Sequence, residues 1–355
     1  MHCPSHDDEH PSFSVDEADG RVLVHCHAGC EQEAVISALR ARGLWGGPPP
    51  APVLSRLRRG RLEGPLNDVA RFVEQFVLMS EAGVIVTALW VAYTYVFEAF
   101  DCTPYLIVQS PEKRSGKTRL LEVLELLVPR PWRVVQPSEA VLFRKIARDR
   151  PTLLLDEADA IFSSRGDQYE PLRAILNAGF RRGAVVPRCV GEGARAKIAN
   201  FDVFCPKALA AIGSLPDTIA DRGIVIRLNR ATPAEQRRIR RLRFREAEAE
   251  AVPIREALAR WAQAALPKLR DARPEVPEAL DGRAADAWEP LLAVAEEAGA
   301  GWAVAAWDAA IRLSTGTARE DDSLRVRLLA DVQRVFKGRQ TDRLATGDLI
   351  EGLVE

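Results

Sequence analysis

The chain has 355 residues, 47% hydrophobic and 28% charged, which is an ordinary globular composition and long enough for two or three domains. A net charge of -1 excludes a general attraction to nucleic acid, so any such affinity has to come from local patches. Six cysteines, unevenly spread, are not the framework of a secreted disulfide scaffold. The first residues lack a basic-then-apolar leader, so the expected location is the cytoplasm.

All five histidines and three of the six cysteines fall within the first 30 residues, a clustering that points to a metal. Cys3 and His6 form one pair and Cys26 and Cys30 the other, with "SFSV", "DEADG" and "RVLVHC" between them reading as strand, turn, strand. A hairpin that joins two ligand pairs is the layout of a zinc ribbon, and a closed thiolate-rich Zn2+ site supplies folding energy that so small a module lacks. His25 and His27 flank Cys26, and either could replace Cys30 as fourth ligand. The strings "CPSHDDEHPSFSV" and "VHCHAGC" resemble the CHC-type zinc finger of bacterial and phage primases, except that three residues instead of two separate the second pair. In those relatives the finger reads template. Here residues 1–45 carry three arginines, no lysine and eight acids, a net of -5, so either the nucleic-acid contact is narrow or the module binds protein. A ligand at residue 3 leads us to expect an upstream segment.

"GGPPPAP" at 46–52 breaks helix and strand, and with the arginine-rich "SRLRRGRLEG" it makes residues 46–64 a linker. Residues 65–103 read as helices. The apolar run from Ala82 to Phe100 has the length of a membrane span. Glu98 within it, the lack of basic flanks and the core that follows favour a buried helix and no membrane.

Residues 104–230 alternate strand and helix signals: a strand at 105–110, helices at 118–128 and near 138–148, a strand at 152–157, a helix near 169–180, and apolar segments at 201–212 and 223–228. Such alternation gives an α/β fold with a mainly parallel sheet. Between the first strand and helix lies "SPEKRSGKT", Ser110–Thr118. In a phosphate-binding loop, backbone N–H groups of Ser115 and Gly116 and the helix start wrap the phosphates of ATP. Lys117 reaches the terminal ones and Thr118 ligates Mg2+. Pro111 stands where the first glycine is usual and has no N–H to give, but the donors that matter lie at 114–118.

"TLLLDEADAIF" ends a strand in Asp156 and Glu157. Asp156 can support the magnesium and Glu157 can polarise an attacking water; the plainer alternative is a strand ending in solvent-facing acids or a helix cap. Around "GEGA" two short strands make a hairpin with Arg181, Arg182, Arg188, Arg195 and Lys197. These cations could grip a phosphate backbone, or form ordinary surface ion pairs. In "GSLPDTIADRGIVIRL", Arg222 precedes a strand, and its position resembles that of the arginine which ring-forming AAA+ ATPases extend to a neighbour's γ-phosphate. The alternative is a surface arginine paired with Asp217 or Asp221. Residues 231–355 look almost wholly helical. The basic block within "RRIRRLRFREAEAEA" reads as a charged helix face, and the last thirty residues look like the start of a winged helix that stops short.

From about residue 65 to 355, strings such as "LWVAYTYVFEAFDCTPYLIVQSPEKRSGKTRLLEVLELLVPRP", "LRAILNAGFRRGAVVPRCVGEG" and "FCPKALAAIGSLPDTIADRGIVIRL" resemble a domain-of-unknown-function family of actinobacterial and phage proteins. That family is related to primase-associated AAA+ ATPases and helicases of mobile elements. The resemblance implies a P-loop (AAA+-like) sheet core with a helical lid, and an ATP-hydrolysing, DNA-dependent motor in phage or mobile-element replication. It also implies a homo-oligomeric ring completed by Arg222, single-stranded DNA as track, and a primase or polymerase as partner. A nucleotide-dependent scaffold that recruits a polymerase without translocating is the alternative from another class. Primase activity is a third, against which stands the lack of a second acidic metal site.

Overall fold

Two short antiparallel strands, β1 (Phe13–Ala18) and β2 (Arg21–Cys26), pair in the register Phe13↔Cys26 to Ala18↔Arg21. They belong to a first compact unit, residues 1–59, and the rest of the chain forms a second, residues 60–355. The computed structural model describes residues 3, 12–18, 21–30, 35, 64–163, 170–191, 196–280, 282–314, 324–339, 341 and 343–354.

The second unit opens with α1 (Pro65–Phe76) and α2 (Glu81–Val96). Ser80 caps α2 by accepting the Gly83 N–H at 3.2 Å. Every α2 residue from Ala82 to Val96 except Tyr95 is buried, the mark of a helix that is apolar all round and enclosed by protein. Its polar tips are satisfied inside: Trp90 Nε1–H donates to the Pro104 carbonyl at 3.0 Å and the Tyr93 hydroxyl to the Cys102 carbonyl at 3.1 Å. The segment Glu81–Ala99 is the one described helix long and apolar enough to cross a membrane, and neighbouring elements cover 83% of its most apolar window.

A five-stranded parallel sheet follows: β3 (Tyr105–Ser110), β4 (Pro131–Val135), β5 (Thr152–Asp156), β8 (Lys207–Ile212) and β9 (Gly223–Arg227), in the order β4-β5-β8-β3-β9. All residues of β3 and β5 are buried, as expected for unbroken apolar runs with helices on both faces. Strand β4 escaped the sequence reading. It is five residues long, begins at a proline and alternates between exposed and half-buried positions at the sheet edge.

The connections are α3 (Lys117–Leu127), α4 (Glu139–Asp149), α5 (Ala158–Ser163), α6 (Glu170–Ala178) and the short α7 (Asp217–Ala220). From β3 the chain crosses by α3 to the far edge, returns through β5 to β8, and passes over β3 to β9. Connections thus leave the two sides of β3 in opposite senses, which opens a crevice at the carboxyl ends of the strands beside it.

Between α6 and β8 an antiparallel ribbon, β6 (Val185–Val190) and β7 (Lys197–Asp202), is paired from Val185↔Asp202 to Val190↔Lys197. Its feet are held by Lys207, the first residue of β8. The wholly buried ammonium of Lys207 donates to the carbonyls of Gly179 (3.1 Å), Val203 (3.1 Å) and Cys205 (2.8 Å). Gly179 is required there, since a Cβ would lie 2.6 Å from both Lys207 Nζ and the Val203 oxygen.

Beyond β9 the chain is helical: α8 (Pro233–Gln236), α9 (Phe244–Asp271), α10 (Gly282–Ala298), α11 (Ala300–Ser314), α12 (Leu324–Gly338) and α13 (Thr346–Val354). Helices α9, α10 and α11 pack on α2 together with α1, while α12 and α13 pack on each other.

Candidate active site

Strand β3 ends at Ser110 and helix α3 begins at Lys117, so the loop between them stands over the crevice. The turn into the helix is made by Gly116 at φ 95°, with Arg114 also left-handed at φ 64°. Ser110 Oγ donates to the Glu112 carbonyl at 2.8 Å and accepts the Glu112 N–H at 3.2 Å, which fixes the loop entrance after Pro111. Ser115 is buried, Thr118 is exposed, and Gly116 and Lys117 are half-buried. Lys117 Nζ donates to the Glu112 carbonyl at 3.1 Å and to Ser115 Oγ at 3.2 Å. Burial lowers the Lys117 pKa from its ordinary value, and the charges of Asp159, Asp156 and Glu112 oppose that shift. Glu112 Oε1 is buried and has no hydrogen-bond partner among the described residues.

The acidic pair stands at the end of β5, one strand away from β3 across β8. Asp156 is buried and its Oδ1 accepts the Glu157 N–H at 3.0 Å. Glu157 is exposed and sits at φ 55°, a costly backbone for a residue with a side chain, of the kind that concentrates at functional turns. Sequence reasoning overlooked Asp159, two residues on. Its Oδ1 accepts the Ile212 N–H at 3.0 Å, and it is the foremost of the charges acting on Lys117. The structure therefore places Ser115, Gly116, Lys117, Thr118, Asp156, Glu157 and Asp159 at the carboxyl ends of β3 and β5, on either side of β8. As a donor set, a lysine, the N–H groups of a helix start, a free hydroxyl and a buried carboxylate fit a phosphate chain with its magnesium.

Arg222 lies at the other end of the strands, the amino end of β3. Its carbonyl accepts the Tyr105 N–H at 3.0 Å, beside the first residue of β3. Its half-buried side chain donates to the Thr218 carbonyl. Asp221 is engaged elsewhere, with Arg283 at 3.4 Å. Six residues of strand separate Arg222 from the Lys117 loop, roughly 20 Å at about 3.3 Å per residue.

The cations of the ribbon are largely engaged within the chain. Arg181 pairs with Asp286 at 2.6 Å. Arg182 donates to the carbonyls of Glu98 (2.6 Å) and Phe100 (2.8 Å) and stacks over Phe204. Arg188 binds Glu139 and lies over Phe143. Lys197 is exposed and Arg195 lies outside the described residues. The outward face of the ribbon instead shows Val185, Pro187, Cys189 and Ile198, the last 74% exposed.

In the first unit, the Sγ atoms of Cys3, Cys26 and Cys30 all lie within 4.8 Å of one another. Four tetrahedral sulfurs at about 2.3 Å from zinc stand about 3.8 Å apart, so the three are close to ligand spacing. Burial works against the Cys26 thiolate. The N–H of Cys30, the hydroxyl of Ser12, the N–H of Ala28 and the Cys3 thiol together outweigh it and bring the thiol down to about 6. His6 lies outside the described residues, whereas His25 and His27 are exposed and stack on each other edge to face.

Comparison with known proteins finds that residues 227–355 match a family model described as a protein of unknown function, DUF3631. The expected resemblance from residue 65 is thus matched over the carboxy-terminal part. A protein of Saccharopolyspora erythraea described as "Uncharacterized 28.9 kDa protein in xis 5'region" is 43% identical over 97 residues, 27% of this chain and 35% of that protein. The chain therefore spans about a third of that relative's length.

Proposed function

We propose that the chain is a P-loop, AAA+-like ATPase that serves as a DNA-dependent, helicase-like motor in the replication of a phage or mobile element. The observation that carries the ATPase part is that the Lys117 loop and the Asp156–Glu157 pair follow the carboxyl ends of strands separated by a single strand, with Asp156 close enough for its charge to act on Lys117. With ATP bound, the N–H groups of Ser115 and Gly116 and the amine of Lys117 would hold the phosphates, while Thr118 and Asp156 would hold magnesium, which supplies charge neutralisation. Glu157 would orient the attacking water and take its proton. Arg222, whose backbone lies at the opposite end of β3 from its own subunit's loop, would stabilise the transition-state charge of a neighbour, and the working unit would then be an oligomer.

The three cysteines and His6 would hold zinc as the closed structural site of a primase-type ribbon, through which a primase or polymerase could be recruited. The compartment we propose for this activity is the cytoplasm. A specific observation favours the second reading, a nucleotide-dependent scaffold: Arg181, Arg182 and Arg188 are engaged within the chain, which leaves less free charge for a DNA track. Steady-state ATP hydrolysis with magnesium, with and without single-stranded DNA, separates the two. Stimulation by DNA supports the motor, a slow and indifferent rate supports the scaffold, and no hydrolysis at all overturns both.

A further inference from the structure

Strand β8 separates the lysine strand from the acidic strand, so the position of its carboxyl end sets the distance between the two halves of the candidate site. That end is tied on both sides. Toward β3, the Gly213 N–H donates to the Ser110 carbonyl at 2.9 Å, continuing the ladder of the sheet. Toward β5 the register closes earlier, with Leu155↔Leu209 as its last pair. From there to the tip of β8, the bond across to the acidic loop is a side-chain one, from Ile212 N–H to Asp159 Oδ1 at 3.0 Å.

Resting on the ATPase reading above, we propose that Asp159 is a positioning residue. It clamps the tip of β8 to the acidic loop and so holds Glu157 at a fixed distance from the Lys117 loop. The clamp is a hydrogen bond and not a charge effect: what matters is an acceptor oxygen facing Ile212. It follows Glu157 closely enough that its loss frees the left-handed turn at 157; its charge also acts on Lys117, and the asparagine variant, which removes the charge and keeps the acceptor, separates the two effects.

The test compares wild type, Asp159→Ala and Asp159→Asn in the full chain, reading kcat and KM for ATP and amide hydrogen exchange at Ile212. Loss of a hydrogen bond to a carboxylate corresponds to a factor of about 10 or more. We expect the alanine variant to lose about that factor in kcat while KM changes less than about threefold, and to exchange faster at Ile212. Asparagine, which keeps the acceptor, restores kcat and exchange toward wild type. An alanine variant with unaltered kcat overturns the clamp, and so does an asparagine variant that fails as badly as alanine, since the charge would then be the active property. A wild type that hydrolyses no ATP overturns the proposed function and this role with it, whereas an active wild type beside an unaffected alanine variant overturns this role alone.

Discussion

The Arg222 carbonyl accepts the Tyr105 N–H at 3.0 Å at the foot of β3, while Lys117 follows the head of the same strand. One subunit thus carries the two groups at opposite ends of a shared strand, out of each other's reach. Mixing tests the consequence. Arg222→Ala and Lys117→Ala chains, each inactive alone, should regain part of the wild-type ATPase rate when combined, because a mixed interface pairs an intact loop with an intact arginine. No recovery, in mixtures shown to co-assemble, would count against action in trans.

Glu157→Gln keeps the size of the side chain and removes its basicity. A general base contributes about 10²-fold or more, so hydrolysis should fall by at least that factor while ATP affinity stays within about threefold. Binding measured by fluorescent-nucleotide titration decides it. A loss of affinity equal to the loss of rate would mean that the residue shapes the pocket and takes no proton.

The cysteine cluster predicts one equivalent of zinc per chain, measured by elemental analysis of the purified protein. Cys3→Ala and Cys26→Ala should each reduce the content sharply, because a tetrahedral site that loses a thiolate binds far more weakly. Full zinc content in both variants would show that the metal is held elsewhere.

Lys207→Met keeps the stem and strands three buried carbonyls, so it should lower stability by about 2–4 kcal/mol. The loss depends on pH. Burial holds the Lys207 pKa below its ordinary value of 10.5. Between that lowered value and 10.5 the unfolded chain binds the proton more readily than the folded one. Stability on this group's account therefore rises with pH across that window. Urea denaturation at neutral pH and at a pH just below 10.5 should show a wider gap between wild type and variant at the higher pH; a constant or shrinking gap would refute the assignment.

Much of the core was legible because its signals are local. A short unbroken run such as "YLIVQS", flanked by Pro104 and Pro111, reads as a strand covered on both sides, and "SGKT" behind it could be placed on a helix start without knowing the fold. Strand β4 was missed because an edge strand needs no apolar run. Asp159 and Lys207 were missed for another reason: their partners, Ile212 and the carbonyls of Gly179, Val203 and Cys205, are set by tertiary structure. Each still left a trace, an acid two residues past Glu157 and a lone lysine inside "FCPKALAAI". The fate of the ribbon arginines was the least legible. Composition counts charges but does not tell which of them meet Glu139, Asp286 or a carbonyl.

Helix α2 is enclosed by α1 from one side of the sequence and by α9, α10 and α11 from the other. The segment that matches the family model therefore does not own its interior: what it covers was made some 150 residues earlier. Expressed alone, residues 227–355 would present the vacated groove of α2 to water, and the remainder of the chain would present α2 itself, a helix apolar enough to enter a bilayer. Cutting at the family boundary would produce two sticky halves, so pieces for biochemical work have to begin ahead of α1.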